Sequence, residues 1–256
     1  MTTTFGKMES LANTKYYEIK TDHVYAYKIA KDDISLPFLK SFYNVSKYVN
    51  SDHLVKVYGI DEEKVMMDLY KTDLQRAARQ YKFSYLLKIF YDVCLGVKDL
   101  HDKNVCHNDL KPGNILIKED KGFIGDLDSC LLCNNDKVEI DEELTTYCFA
   151  APETYKDKLS VYSKEGDIWA LGCTLLFLVT GYFLFSSTYD EYKGFFNDLK
   201  EERDLIALID YYVKQWKRDE LRKEALELVK KMLVLNKDKR AKIEEVINDK
   251  VFDRFK

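Results

Sequence analysis

Residues 107–116 read HNDLKPGNIL. An acid, a lysine and an amide stand at Asp109, Lys111 and Asn114, around a Pro112-Gly113 turn. Phosphoryl transfer rests on positioning and charge neutralisation, and one carboxylate, one point cation and one amide oxygen could serve it. The same residues would also suit an ordinary polar turn. The sequence on either side decides between the two.

Upstream, the first 70 residues are strand-like. YYEIKTD (16–22) and HVYAYKIAK (23–31) are β-branched and aromatic runs about a polar turn, which predicts a hairpin. FLKSFYNVSKYV (38–49) carries Phe38, Phe42, Val45 and Val49 at helical spacing. HLVKVYGI (53–60) and KVMMDLY (64–70) predict two further strands joined by an acidic turn. Downstream the chain turns helical. Residues 83–103 form a long amphipathic stretch with Leu86, Leu87, Phe90, Val93, Val97 and Leu100 near one face. Short strands NILI (114–117) and GFIGDL (122–127) flank an acidic turn, and an irregular stretch follows from about Asp128 to Tyr155. EALELVKKMLVL (224–235) and AKIEEVINDKVF (241–252) read as amphipathic helices.

Composition narrows the function classes. With 256 residues and 46% hydrophobic side chains, the chain can bury a sizeable core. Its net charge of −4 comes from 40 basic and 44 acidic residues, a mixed surface that argues against a dominant nucleic-acid footprint. The run Ile168–Phe185 has 18 residues without a charge, near the lower limit for a membrane span. It is the only such segment and is diluted by Gly172, Thr174, Thr180 and Gly181, so a buried central helix is expected and no membrane span. Six scattered cysteines include one metal-like pair, Cys130 and Cys133, without the two further ligands that zinc requires. Reduced thiols are expected, and with no hydrophobic leader core in MTTTFGKMES, an intracellular setting, cytoplasmic or nuclear.

Taken in order, VYAYK, HNDLKPGNIL, GDLD, APE, DIWALG and KDKR resemble the motifs of eukaryotic-type protein kinases, across nearly the whole chain. The resemblance implies an α+β, bilobal protein-kinase-like fold: a small N-terminal antiparallel β lobe (1–70), a hinge near 68–73 and a larger, mainly α-helical C-terminal lobe (74–256), within a single domain of 1–256. It implies ATP and Mg²⁺. Asp109 matches the acid that orients a substrate hydroxyl and accepts its proton, and Lys111 the lysine that neutralises the transferring phosphoryl group. Asn114 and Asp126 match the metal ligands, all oxygen donors as Mg²⁺ prefers. Lys28 matches the strand lysine that grips the phosphates, with Ala26 over the adenine and Gly6 in the glycine-rich loop. Met67, Asp68, Leu69 and Tyr70 match the gatekeeper and hinge. Asp167 and Trp169 resemble the start of the buried central helix, Glu153 and Arg240 a buried ion pair, and Thr146 a support for the catalytic loop. The LKP after Asp109 resembles serine/threonine kinases, which implies protein substrates bearing Ser or Thr; the oligomeric state is left open.

Five of the positions named here depart from the pattern. Met8 and Leu11 stand where the second and third loop glycines are expected. The helix glutamate that pairs with the strand lysine is absent: Phe42 takes its place, and no Glu occurs between Glu18 and Glu62. Asn108 replaces the arginine that receives an activation-loop phosphate. Asp128 replaces the glycine after Asp126 and Leu127, at a turn whose left-handed backbone Asp tolerates better than most residues. For Lys28, Asp126 or the nucleotide is the expected partner, ahead of an Asp128 expected to point outward. The leading expectation is transfer of the ATP γ-phosphate to Ser/Thr hydroxyls, at full or reduced rate. The alternative is a weak or inactive pseudokinase that acts as a binding or regulatory module.

Overall fold

The computed structural model describes residues 14–17, 25–30, 36–133, 137–155, 158–184, 188–199, 201–214 and 219–256, with the backbone alone at 14–17, 212 and 213. Strand β1 (Thr14–Tyr17) pairs antiparallel with β2 (Tyr25–Ile29), as the hairpin reading requires, with Thr14 opposite Lys28. Helix α1 (Leu36–Val49) starts with Pro37 in its first turn, where a missing N–H costs nothing. Its buried stripe is Leu39, Phe42, Ser46 and Val49. Phe38, expected inside, is exposed, so the packed face is rotated from the predicted one. Strands β3 (Val57–Ile60) and β4 (Lys64–Asp68) complete a four-stranded sheet in the order β1-β2-β4-β3. Alternation along β2 turns Ala26 and Lys28 to the same face.

Past Asp68 the chain makes a short strand β5 (Thr72–Asp73) and a single helical turn α2 (Leu74–Ala77), whose N-cap is the Asp73 carboxylate accepting from the Arg76 N–H. Helix α3 (Phe83–Asp102) buries all six predicted core positions. After β6 (Val105–Cys106), β7 (Ile115–Lys118) and β8 (Lys121–Ile124) form a hairpin. Glu119 and Asp120 at its tip both have positive φ, 51° and 60°, the conformation that matches a two-residue turn to the strand twist. Gly122 lets this hairpin lie on α3: a Cβ there would meet the Ile89 carbonyl oxygen at 2.7 Å.

The stretch expected to be irregular contains two strands. β9 (Leu131–Leu132) pairs with β6, and β10 (Lys137–Ile140) pairs with β11 (Ser160–Ser163). Helix α4 (Lys164–Thr180) is buried continuously from Asp167 to Thr180 and stops at Gly181, whose φ of 82° suits a residue without Cβ. It is the central core helix, and it ends at Thr180 where the uncharged run continues to Phe185. Among the described residues no helix is long and apolar enough to cross a membrane. Helices α5 (Tyr189–Asp198), α6 (Glu202–Val213), α7 (Glu220–Met232) and α8 (Ile243–Ile247) complete the helical part. Residues 241–252, expected as one helix, divide at Asn248; Asp249 then caps a 3₁₀ turn over 250–252. α7 crosses α4 closely enough that a Cβ on Gly172 would meet Leu233 at 2.7 Å.

Two cysteines depart from the expectation of free thiols: Cys106 and Cys133 are joined by a disulfide, with Cα atoms 6.3 Å apart. Cys94, Cys130, Cys148 and Cys173 are free and buried. Among the described residues no group of three or more His, Cys, Asp or Glu side chains is placed to hold a metal ion, and Cys133 of the metal-like pair is taken up by the disulfide.

Candidate active site

The loop 107–114 rests on the first turn of α4. Asp167, 1% exposed, accepts backbone N–H bonds from His107 at 2.8 Å and Asn108 at 2.9 Å, and meets His101 Nε2 at 2.9 Å. A buried carboxylate needs such a set of donors. His107 then bridges to the end of β8. Its Nε2 lies 2.9 Å from the Gly125 carbonyl and its Nδ1 accepts from the Asp109 N–H at 3.2 Å, a pair of contacts that assigns the proton to Nε2. Asn108 has φ 70° and donates from Nδ2 to the Ser129 carbonyl at 2.7 Å, while its own carbonyl accepts from the Thr145 hydroxyl.

Asp109 is held at both oxygens. Oδ1 accepts from the Thr146 N–H at 3.0 Å and hydroxyl at 2.8 Å; Oδ2 accepts from Lys111 Nζ at 2.7 Å and Asn114 Nδ2 at 2.9 Å. Lys111 also reaches Thr146 Oγ1 at 2.7 Å. Asn114 spends its amide nitrogen on the Asp109 carboxylate and carbonyl, so Oδ1 is the atom left to act as a ligand.

Across the cleft, Lys28 Nζ lies 2.6 Å from Asp126 Oδ1 and 2.8 Å from Asp128 Oδ2, with the Phe42 ring centroid at 4.8 Å. Burial alone would lower the lysine; the two carboxylates outweigh it and hold the ammonium above its usual range. Burial works to raise both acids. Lys28 overrides it at Asp126, which is pulled down to about 2, whereas Asp128 faces the Asp126 charge as well and is raised. The left-handed residue of this turn is Asp126, at φ 56° and ψ 51°, and not Asp128, which sits inside a 3₁₀ turn, Leu127–Ser129. Leu127 is fully buried, and α1 packs on this turn. Asp128 therefore points inward, contrary to the expectation from sequence.

A cleft of about 700 Å³ opens between sheet and helices. Ala26, Lys28, Met67, Asp68, Tyr70, Lys111, Asn114 and Asp126 line it. Asp68 is fixed by Tyr58 at 2.8 Å and Lys118 at 3.0 Å, and the Tyr70 hydroxyl accepts from the Lys56 N–H at 2.9 Å. Leu69 instead packs against the core. Gly6, like Met8 and Leu11, lies outside the described residues. Gln75, Arg76 and Arg79 also line the cleft and were not anticipated, because α2 is too short to leave a periodic signal. Below the cleft, Arg240 and Glu153 form a bidentate pair at 2.7 and 3.0 Å, with the guanidinium 5.1 Å from the Trp169 ring.

The Asn114 amide oxygen and the partly exposed Asp126 carboxylate are hard oxygen donors, so the residues present fit Mg²⁺. The small sheet and the helical part thus make a fold of two parts, with a cleft edged by a lysine, two acids and an amide. The family model for the protein kinase domain matches residues 11–252, and the chain belongs to this family. It is 27% identical over 197 residues to the probable serine/threonine-protein kinase glkA of Dictyostelium discoideum, covering 72% of this chain and 39% of that one. It is 26% identical over 270 residues to the serine/threonine-protein kinase polo of Drosophila melanogaster, covering 95% and 42%. To the mitogen-activated protein kinase PMK1 of Pyricularia oryzae it is 25% identical over 239 residues, covering 78% and 65%. The chain thus spans less than half the length of the first two relatives.

Proposed function

We propose that this chain transfers the γ-phosphoryl group of ATP to Ser and Thr hydroxyls of protein substrates. The observation that carries this reading is Asp109, whose two oxygens are oriented by Thr146, Lys111 and Asn114 at 2.7–3.0 Å. Asp109 orients the hydroxyl and takes its proton as the new O–P bond forms. The bond from the γ-phosphorus to the bridging oxygen breaks, and its electron pair leaves with ADP. Lys111 sits beside Asp109 to offset the charge of the phosphoryl group in transit. Lys28 binds and aligns the ATP phosphates from the other side of the cleft. Ala26 and Met67, opposite each other on β2 and β4, form the roof and back for adenine, with Asp68–Tyr70 as the hinge. Asn114 and Asp126 would hold Mg²⁺, which when bound supplies neutralisation of the phosphate charge. In this reading residues 1–256 act as one catalytic domain, hinged near 68–73 between an N-terminal part (1–70) and a C-terminal part from 74. Dependence on ATP is consistent with a cytoplasmic or nuclear setting.

One observation favours a second reading, a weak or inactive kinase-fold module that binds a partner. The buried Phe42 ring, not a carboxylate, faces Lys28 from α1. A phosphotransfer assay on wild type and Asp109→Asn separates the two. Activity in wild type, with a loss of ~10²–10⁴-fold in the variant and Mg²⁺-ATP binding retained, supports catalysis. Nucleotide binding without transfer supports the second reading.

A further inference from the structure

The loss of a carboxylate from α1 raises the question of what holds Lys28 in line. We infer that Asp128 is the positioning residue for Lys28, in place of a helix-borne glutamate; this rests on the phosphotransfer reading above. Three observations converge. Asp128 Oδ2 is 2.8 Å from Lys28 Nζ. The residue on α1 that faces the ammonium is Phe42, 1% exposed, which offers a ring face and no charge. The 3₁₀ turn Leu127–Ser129 fixes Asp128 with its side chain inward, because Leu127 is buried to 0% beneath α1.

Asp126 also contacts Lys28, at 2.6 Å. The two carboxylates are not equivalent. Asp126 has a side chain 42% exposed, against 21% for Asp128. If Asp126 turns to a cation, Lys28 loses one of its two charge partners; Asp128 keeps the lysine aimed at the phosphates while Asp126 is engaged. The second Asp128 oxygen, Oδ1, is buried without a hydrogen bond. An unpaired buried oxygen weakens a fold, and such local violations are expected where function retains them. The arrangement also has a mechanical consequence. Lysine partner and metal ligand lie two residues apart on one turn packed beneath α1, so a displacement of that turn would move both together.

The test measures binding of ATP with Mg²⁺, and of adenosine, by isothermal titration for wild type, Asp128→Asn and Asp128→Gly, together with melting temperatures and KM for ATP and for a peptide. We expect ATP affinity to fall on the order of 10- to 100-fold in both variants, as for outer-shell partners elsewhere, with adenosine affinity unchanged. KM for ATP should rise while KM for peptide stays put. Phe42→Glu added to Asp128→Gly should recover part of the ATP affinity by returning a carboxylate to α1. Equal ATP affinity in wild type and Asp128→Asn overturns the inference. So does a parallel loss for adenosine, which would mark Asp128 as structural. Should the Phe42→Glu double variant fail to fold, the ATP-against-adenosine comparison still decides. A wild type that binds no Mg²⁺-ATP overturns the phosphotransfer reading itself, which is a separate outcome.

Discussion

Cys148 lies two residues past Thr146, the residue that holds Asp109, and its thiol is free and buried. Burial pushes it up to about 11; the Lys111 ammonium pulls the other way without prevailing. The folded thiol keeps its proton to a higher pH than the unfolded one, so the stability it contributes is present below the ordinary thiol range and is lost as pH rises toward about 11. At pH 8 iodoacetamide should label Cys148 on the order of 100-fold more slowly than an unperturbed thiol, read by peptide mass spectrometry. Rapid labelling would mean that the segment opens. At this scale the sequence was informative wherever the chemistry is local. Asp109, Lys111 and Asn114 fall within one turn and meet each other through short-range hydrogen bonds. The inward Asp128 was not legible, because its direction depends on how Leu127 packs under a helix that ends at Val49, well outside any local motif. The Cys106–Cys133 bond was hidden for the same reason: their 27-residue separation is closed only by the pairing of β6 with β9.

The hairpin β7–β8 delivers Asp126 to the cleft, and its seat on α3 depends on Gly122. A methyl group on Gly122 would lie 2.7 Å from the Ile89 backbone oxygen and 2.9 Å from Ile89 Cγ2, so Gly122→Ala should force the hairpin off the helix. We expect a loss of about 1–3 kcal/mol by urea denaturation, the usual size for overpacking. Gly59→Ala is the control: nothing lies within 4 Å of its Cβ position, so its midpoint should barely move. Protein contacts hold the described residues of the segment after Asp126. β9 pairs with β6, β10 pairs with β11, Asn108 donates to Ser129, and Thr146 binds Asp109. Treatment with phosphatase should therefore leave basal phosphotransfer within about twofold, since Asn108 offers no Arg–phosphate pair; a collapse of activity would show that another basic residue receives a phosphate. The sequence missed β9 and β10 because strands of two and four residues, one of them ending in the acidic run after Ile140, carry too little alternation to register. The face of α1 was misread because Leu39 and Ser46, not Phe38 and Val45, complete the stripe with Phe42 and Val49. Ser46 breaks the apolar pattern that the eye follows.

At the scale of the molecule, the change from period-two to period-3.6 patterning near residue 70 was plain in the sequence, and the sheet does give way to helix there, between β4 and α2. A helix apolar all round suits a lipid or a protein interior, and the glycines and threonines that dilute the uncharged run favoured the interior. The answer came from its neighbours: α3 and α7 pack on α4, Arg240 binds the Glu165 carbonyl at 2.7 Å, and Asp167 receives the loop that carries Asp109. This placement has a consequence for the time domain. A helix with no solvent-facing side from residue 167 to 180 has no route to local opening, so its amides should exchange with deuterium only when the whole domain unfolds. The edge pair β10–β11, with Lys137 and Glu139 exposed, should exchange far sooner. The loop bearing Asp109 is hydrogen-bonded through Asp167 to the helix expected to exchange slowest, while the exposed β10–β11 pair is expected to exchange faster. Such a molecule can refresh its outer contacts many times without once loosening the floor of its cleft.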